Sequence, residues 1–492
     1  MAKSKINLTD PPLKKSASRS AKGEEPLALT VLTTAGVRHS EAEFLQLLFK
    51  TLDQEDLRYC VLHGWKWLLL KAAILPDHDL DIAIHPDDAK KLPIVLRTLA
   101  ERGYLPIQRL NYQFQASAFV FGWFEDLMAK TVMVDFASGH RDSGLIWKSG
   151  EALVAERQRV NGIWVADPAT EFSYILTKKI SKGFVSPMKQ RRLVELIQTL
   201  GLPKAENIVS ELLGDRHKKQ VLEACLDLRL AEMLPRLKPV MLRRRIWRGP
   251  FKAVRSILEE SIRLSRRFFQ PTGLSLVFLG PDGVGKSTLV TGLLDTLKSA
   301  FRRDHTFHWR PGVVLPIRDG DGGLANPHDQ PPRGAVLSVL FLLGFFLDFW
   351  VGHILRVRPL LTRSGLVIFD RYYYDILVDP KRYRYAGPKW LLRVMALLLP
   401  GRDELVLVLD APEEVILSRK RQLSEEELRR MRVDYRQLNM RLKQSHLIET
   451  QYGPQQTLAL ASRIVFAYLA GRLDSRETRA LRENHPNASK FL

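Results

Sequence analysis

The chain has 492 residues, 45% hydrophobic and 26% charged, which gives room for two or three domains with sizeable cores and excludes a disordered or fibrous protein. Its 75 Lys and Arg against 54 Asp and Glu leave a formal charge of +21, which selects acidic partners: nucleotides, phosphorylated substrates, anionic lipid or nucleic acid. The two cysteines, Cys60 and Cys225, are far apart and lack metal-ligand spacing, which suits a reducing compartment.

The chain opens on MAKSKINLTDPPLKKSASRSAKGEEP, and residues 1 to about 30 are polar, basic and proline-dotted. Without an apolar h-region, this stretch predicts a disordered arm and no signal peptide. A cytoplasmic protein is expected, with the inner membrane face as a peripheral site. No internal repeat is visible.

Residues of about 40 to 165 predict a mixed α/β unit. In YCVLHGWKWLLLKAAILPDHDLDIAIHPDDAKKL, Asp79 and Asp81 stand two apart on a short strand, so both carboxylates face one side. A helix from Pro86 follows, and KTVMVDF places Asp135 at the end of a later strand. Three carboxylates converging from neighbouring strands are what two-metal nucleotidyl transfer requires, whereas a pair of strand-edge aspartates is the plainer reading. Gly64, the run Asp79-Leu80-Asp81-Ile82, a helix and ERGY resemble the uncharacterised nucleotidyltransferases of the polymerase-beta-like fold. The resemblance implies metal binding by Asp79, Asp81 and Asp135 and a second, nucleotidyl-transferring activity. Trp65 departs from that family, which usually has Gly or Ser there to hold the triphosphate. A regulatory or substrate-holding role on the same fold is the alternative. Asp77, His78 and His85 match no defined zinc spacing, and His140 reads as a loop histidine.

Residues of about 166 to 268 are mainly helical by pattern. From Arg236 to Arg267 eleven Lys and Arg stand against Glu259 and Glu260, and Gly249-Pro250 breaks the run. Beyond the break, Phe251, Val254, Leu258 and Ile262 recur at helical spacing with Arg255, Arg263, Arg266 and Arg267 between them, a basic amphipathic helix. The expectation is a connecting helix whose apolar stripe docks on a domain while its charges are solvated. An anionic membrane surface is the second reading. Nucleic acid is not expected, since no stacking platform or recognised module accompanies the charge.

From about 270 to 472 the apolar strands LSLVFLG, TFHWR, GLVIFD, ELVLVLD and SHLIET alternate with helical stretches, which predicts a parallel sheet covered by helices on both faces. A short polar tail, 473 to 492, follows. In LVFLGPDGVGKSTLV, Gly280, Gly285, Lys286 and Ser287 keep the G-x-x-x-x-G-K-[ST] spacing between a strand and a helix. Glycines let backbone N–H groups close around an anion at the helix N-terminus. Lys286 is expected to reach the β/γ-phosphates of ATP and Ser287 to hold Mg²⁺, with Gly283 and Thr288 completing the nucleotide contacts. DGDGGLANPHDQPPRG, from Asp319, predicts a mobile loop over the strand ends.

AVLSVLFLLGFFLDFWVGHIL, Ala335 to Leu355, is long enough to span a bilayer and carries one formal charge, Asp348. A single crossing would part Lys286 from Asp370, so a buried or surface-docked helix is expected.

GPDGVGKST and VIFDRYYYD together resemble the thymidylate kinase branch of nucleoside-monophosphate kinases, and more closely the kinase-like proteins of bacterial surface-polysaccharide loci. The resemblance covers roughly two-fifths of the chain. It implies that Asp370 sits near Mg²⁺, that Arg371 grips an acceptor phosphate, and that Asp282 lies near an acceptor hydroxyl. WRPG is similar to the family's Arg-Glu-Pro-Gly loop without the Glu, which carries over Arg310 alone. SRKRQLSEEELRRMRVDY lies where the family has its lid, making Arg419 and Arg421 candidates to neutralise the transferring phosphoryl group. The expected protein is therefore an α/β chain in which a nucleotidyltransferase-like unit is joined by helices to a P-loop kinase. It would phosphorylate a nucleotide or another phosphorylated, small or lipid-linked, acceptor. The rival is an ATP-binding switch with a degenerate nucleotidyltransferase unit.

Overall fold

The computed structural model describes residues 39–71, 80–113, 116–142, 145–315, 331–401, 404–420 and 423–484. The N-terminal arm, Asp79, Arg421 and most of the loop from Asp319 lie outside the described residues.

The front sheet has the order β3-β4-β5-β2-β1-β9-β8 and is mixed. Its members are β1 (Tyr59–Val61), β2 (Leu80–Ile84), β3 (Leu105–Gln113), β4 (Ala116–Glu125), β5 (Met128–Ala137), β8 (Gln158–Val160) and β9 (Ile163–Val165). A hairpin of β6 (Gly139–Asp142) and β7 (Leu145–Ser149) stands apart from it. Strands β3, β4 and β5 form an antiparallel meander, and β5 then pairs in parallel with β2, placing Asp135 opposite Asp81. One face is covered by helices Glu41–Gln54 and Leu92–Glu101, through Phe44, Leu48, Val95 and Leu99. Ser40 starts the first of these with a capping box on Glu43, satisfying two helix-end donors.

Helices between Pro168 and Arg248 form a second core through Phe172, Ile175, Leu193, Leu222 and Leu234, which Cys60 of β1, the adjacent Leu62 and Ala83 of β2 also join. Asp167 caps the first of them by accepting from Ala169 N at 2.9 Å and Thr170 N at 3.1 Å.

The second sheet is wholly parallel, in the order β11-β12-β10-β13-β14. Its strands are β10 (Leu274–Leu279), β11 (Arg303–His308), β12 (Gly365–Asp370), β13 (Leu405–Asp410) and β14 (Ser445–Glu449). Every residue of β10 and β13 is buried, which is why these strands read as continuous apolar runs: helices cover both faces. On one side lie Lys286–Leu297 and the long helix Pro454–Asn484; on the other lie Ala335–Gly352 and Glu425–Arg441. Pro454–Asn484 runs past the expected end of the fold into the segment read as a polar tail. It also lies against the front sheet: Phe466 sits where a Cβ on Gly122 of β4 would come within 2.6 Å, so that strand needs glycine there. Leu105, Ile107 and Val120 of the front sheet thus share a core with β10 and β12.

One helix differs from expectation and another follows it. Pro250–Phe269 turns its apolar stripe outward: Phe251, Val254, Leu258 and Ile262 are exposed, while Ser256 and Arg267 are buried. Charge pairing overrode the usual rule that the apolar side faces the core. Glu259 meets Arg141 at 2.9 Å, and Arg267 donates to Ser364 Oγ at 2.8 Å. The apolar run from Ala335 is a surface-docked helix of the second unit, burying Leu342, Phe345 and Phe349 and leaving Val336, Leu340 and Leu347 exposed. Asp348, its single charge, is fully buried.

Candidate active site

The glycine turn between β10 and helix Lys286–Leu297 builds the site. A Cβ on Gly280 would lie 2.6 Å from the Leu409 carbonyl of β13, and its φ of 141° is in the region side chains avoid, so the chain can turn here only as glycine. The turn aims the N-terminus of the following helix into a cavity of about 670 Å³. Asp282, Gly283, Gly285, Lys286, Ser287, Thr288, Asp370, Arg371 and Arg419 line it, nine of the residues singled out from sequence.

Lys286 is buried and donates to the carbonyls of Gly280 at 2.8 Å and Pro281 at 3.0 Å. Burial, with Arg371 nearby, pulls its pKa down to about 8. Asp282 is held between cations: Arg371 and Arg382 donate to its two oxygens, the latter at 2.9 Å, and Lys286 stands 3.8 Å away. Burial pushes the Asp282 carboxyl up, but Arg371, Lys286 and Arg382 together hold it well below the ordinary carboxylate range.

Asp370 ends β12, facing His308 Nδ1 at 3.7 Å. Burial raises its carboxyl, and the His308 hydrogen bond with Lys286 and Arg371 overrules that, so it stays ionised. Its Oδ1 is buried without a hydrogen-bond partner, an anionic oxygen open to a cation. Arg371 adopts φ of 74°, donates its backbone N–H to Phe278 O at 3.0 Å, and is nearly buried. Its guanidinium spans Asp282 and Asp375, the latter at 2.7 Å. Asp375 also accepts from Tyr383 at 2.8 Å and from Tyr435, so the arginine is fixed by a carboxylate that is itself fully buried.

Three of the other candidates fall elsewhere or outside. Arg310 does not line the cavity. It pairs with Asp348 at 3.0 Å, and Asp348 also accepts from the backbone of Gly312, Val313 and Val314 at 2.8, 2.5 and 2.6 Å. The buried charge of the apolar helix thus anchors the Trp-Arg-Pro-Gly loop, and Arg310 belongs to that anchor. Arg421 and Asp79 lie outside the described residues. Two cavity residues had no sequence signal of their own: Arg382, which lies in the aromatic run YDILVDPKRYRY, and His308, which ends β11 beside Asp370. Each becomes visible only once the parallel strand order is known.

The front carboxylates are arranged differently. Asp81 and Asp135 are register neighbours on parallel strands, as the convergence argument requires. Asp81, however, is nearly buried and already engaged: Lys178 donates to it at 2.5 Å and His63 Nε2 at 2.6 Å. Lys189 stands 2.8 Å from His63 Nδ1, which leaves the neutral ring to donate through Nε2. Burial pulls His63 down to about 4 and would lower Lys178 too, but Asp81 raises Lys178 well above an ordinary lysine. Among the described residues no group of three His, Cys, Asp or Glu is placed to hold a metal ion. Of the three carboxylates expected to bind metal, Asp81 is engaged by Lys178 and His63, Asp135 lies opposite it in register, and Asp79 lies outside the described residues. Trp65 opens a short helix after Gly64 and its indole donates to Glu171 at 3.2 Å, a carboxylate that Arg192 also binds.

Parallel strand order, glycine turn and basic cavity are consistent with a P-loop kinase fold. The chain is 29% identical over 216 residues to the thymidylate kinase of Xanthomonas campestris pv. campestris strain B100, spanning 41% of this chain and 87% of that protein. It is 27% identical over 216 residues to the thymidylate kinase of Xanthomonas oryzae pv. oryzae strain PXO99A, spanning 42% of this chain and 88% of that one. Among solved structures, thymidylate kinase from Candida albicans is similar over 39% of this chain and 91% of its own, at 18% identity and a TM-score of 0.30. Thymidylate kinase from Ehrlichia chaffeensis matches 39% of this chain and 97% of its own, at 16% identity and a TM-score of 0.28. No protein-family profile matches the chain. About two-fifths of the chain is thus homologous to thymidylate kinases, which supports a nucleotide-kinase-like phosphotransferase; more than half lies outside the match.

Proposed function

We propose that residues of about 270 to 472 form a P-loop kinase that moves the γ-phosphoryl group of ATP to a phosphorylated acceptor, and that the front unit serves it without metal catalysis. The single observation that carries the first part is the cavity in which the glycine turn, Lys286, Asp370, Arg371, Arg382 and Arg419 converge.

The residues fit ATP and Mg²⁺. Asp370 Oδ1, buried and without a hydrogen-bond partner, and the Ser287 hydroxyl lining the same cavity are the hard oxygen ligands Mg²⁺ takes, while the helix N-terminus and Lys286 suit triphosphate oxygens. Held by Asp370 and Ser287, Mg²⁺ would supply positive charge to offset that of the triphosphate. The chain's own part is positioning. Lys286 moves from the carbonyls of Gly280 and Pro281 to phosphate, Arg371 is fixed by Asp375, and Arg382 and Arg419 border the same space. As the acceptor oxygen bonds to the γ-phosphorus, the bond to the β–γ bridging oxygen breaks and ADP leaves. Cations fixed beforehand favour the charge that develops on the equatorial oxygens.

The missing Glu in Trp-Arg-Pro-Gly and the added front unit favour an acceptor other than dTMP: another nucleotide, or a sugar or lipid-linked phosphate of the kind made at surface-polysaccharide loci. In this reading residues of about 40 to 165 and 166 to 268 are a nucleotidyltransferase-like fold and its helical connector, holding substrate or regulating the kinase. The Asp81–Lys178–His63 cluster supports that role over nucleotidyl transfer.

The test is a screen of nucleoside monophosphates, sugar phosphates and polyprenyl phosphates with labelled ATP and Mg²⁺. Transfer to one class, lost in Lys286→Ala, is expected. ATP binding with no transfer to any acceptor would favour the switch reading instead.

A further inference from the structure

Helix Pro250–Phe269 is held with its polar side inward, and that side is locked. Glu259 pairs with Arg141 at 2.9 Å, Arg263 and Arg267 both donate to the Asn111 carbonyl, and Arg267 reaches Ser364 Oγ at 2.8 Å. These contacts join the helix to both β-sheet units, so it cannot roll to bury its apolar arc without leaving buried charges unpaired.

The outward arc is apolar along the whole helix. Phe251 is 89% exposed and Phe269 75%, with Val254, Leu258, Ile262 and Phe268 between them. Two serines on the same arc add little polarity, because Ser261 donates to Ile257 O at 2.9 Å and Ser265 to Ser261 O at 3.0 Å. Exposed Arg255 and Arg266 border the arc, and Trp247, 76% exposed, stands just before the helix. Charges on the opposite face rule out a span. An apolar arc bordered by arginines, with aromatic rings at its ends, is the make-up of a helix lying in the plane of a bilayer surface.

A second apolar surface adjoins it. Arg358 donates to Phe268 O at 2.6 Å and Phe269 O at 3.0 Å, tying the end of the helix to the run Ala335–Thr362. That run has an 18-residue apolar window only 33% buried. Trp350 on it donates to Leu398 O at 3.0 Å, next to exposed Leu397 and Trp390.

The charge selects the occupant. A second copy would oppose its own Arg255 and Arg266, on a chain of formal charge +21, to the same residues here. An anionic bilayer satisfies the apolar arc and its arginine border together. We infer that helix Pro250–Phe269 docks the protein in-plane on an anionic lipid surface, with the outer face of the Ala335–Thr362 run beside it. This docking is independent of which acceptor the kinase uses.

The full-length protein is sedimented with phosphatidylcholine vesicles and with mixed phosphatidylcholine–phosphatidylglycerol vesicles over a salt series. Binding is expected to the mixed vesicles, to fall with salt, and to be about tenfold or more weaker to the neutral ones. Phe251→Glu with Phe269→Glu abolishes it, while circular dichroism and ATP turnover stay unchanged. Arg255→Gln with Arg266→Gln keeps the fold and removes most of the anionic preference. The proposal is overturned if the wild type stays in solution with both vesicles. It is equally overturned if Phe251→Glu with Phe269→Glu binds as the wild type does. The same holds if light scattering shows a dimer that this variant splits, since a second copy would then cover the arc.

Discussion

Two sites in this molecule set an aspartate at or near a strand end beside a lysine, half-buried in one and buried in the other, and the lysines behave in opposite ways. Lys178 touches Asp81 at 2.5 Å, and the contact raises its pKa well above an ordinary lysine. Lys286 stands 3.8 Å from Asp282, whose oxygens are taken by Arg371 and Arg382, and burial with a neighbouring guanidinium pulls it down to about 8. The first lysine has found its anion within the protein. The second is a costly buried cation beside an open cavity, which an arriving phosphate stabilises. The difference is between a lysine–carboxylate pair closed within the protein and one that faces an open cavity, though the sequence patterns around both read as catalytic.

The largest expected effect follows from that contrast. Lys286→Ala lowers phosphoryl transfer by about a thousandfold or more, the scale for losing a preorganised charge-stabilising donor. Its thermal stability is unchanged or raised, because a desolvated cation has been removed. A fall in melting temperature with activity retained would make Lys286 structural.

Lys178→Ala should do the reverse. It leaves Asp81 buried beside His63 alone and costs about 3–5 kcal/mol, the scale for breaking a buried ion pair on one side. Denaturant unfolding measures this, and Lys178→Met combined with Asp81→Asn recovers most of the loss. Asp81→Asn alone should destabilise, since it strands the ammonium of Lys178.

The histidine under Asp81 gives a pH signature of smaller size. His63 is pulled from an ordinary 6.5 to about 4, so the unfolded chain binds a proton in that interval and the folded chain does not. Stability therefore falls as pH drops from about 6.5 towards 4, by up to about 1.4 kcal/mol per pH unit from this group. His140, pulled by burial to about 3, adds to the slope with the same sign. His63→Gln should flatten the slope by one group's share; an unchanged slope would assign the pH dependence elsewhere.

The smallest effect lies at the kinase site. With Lys286 near 8 in the free protein and raised by phosphate, binding of Mg-ATP takes up a fraction of a proton around pH 8. Calorimetry in buffers of different ionisation enthalpy reads that fraction, and Lys286→Met abolishes it.

Much of the second unit was legible because its constraints are local. A continuous apolar run such as LVLVLD, a glycine turn and a Lys-Ser pair each state their own geometry, and the five strands fall where the alternation put them. Residues whose roles depend on distant partners were not legible. Arg310 carried a family role but meets Asp348, and that one charge in an apolar helix gave no sign of which loop it would anchor. Asp81 and Asp135 did come together across parallel strands, yet Lys178 enters from a helix about a hundred residues further on, beyond any spacing rule. The helix at Pro250 shows the same limit: periodicity located its apolar stripe, but the ion pairs of Arg141 and Glu259 decided which way the stripe faces.

Titration of Mg-ATP into the full-length protein by calorimetry tests the central claim most directly, run on the wild type and on Lys286→Ala. One site per chain, absent from the variant, is the predicted result. A triphosphate site that survives Lys286→Ala and disappears when Asp81 or Asp135 is changed in a folded protein would contradict it, by showing that the front carboxylates bind nucleotide after all.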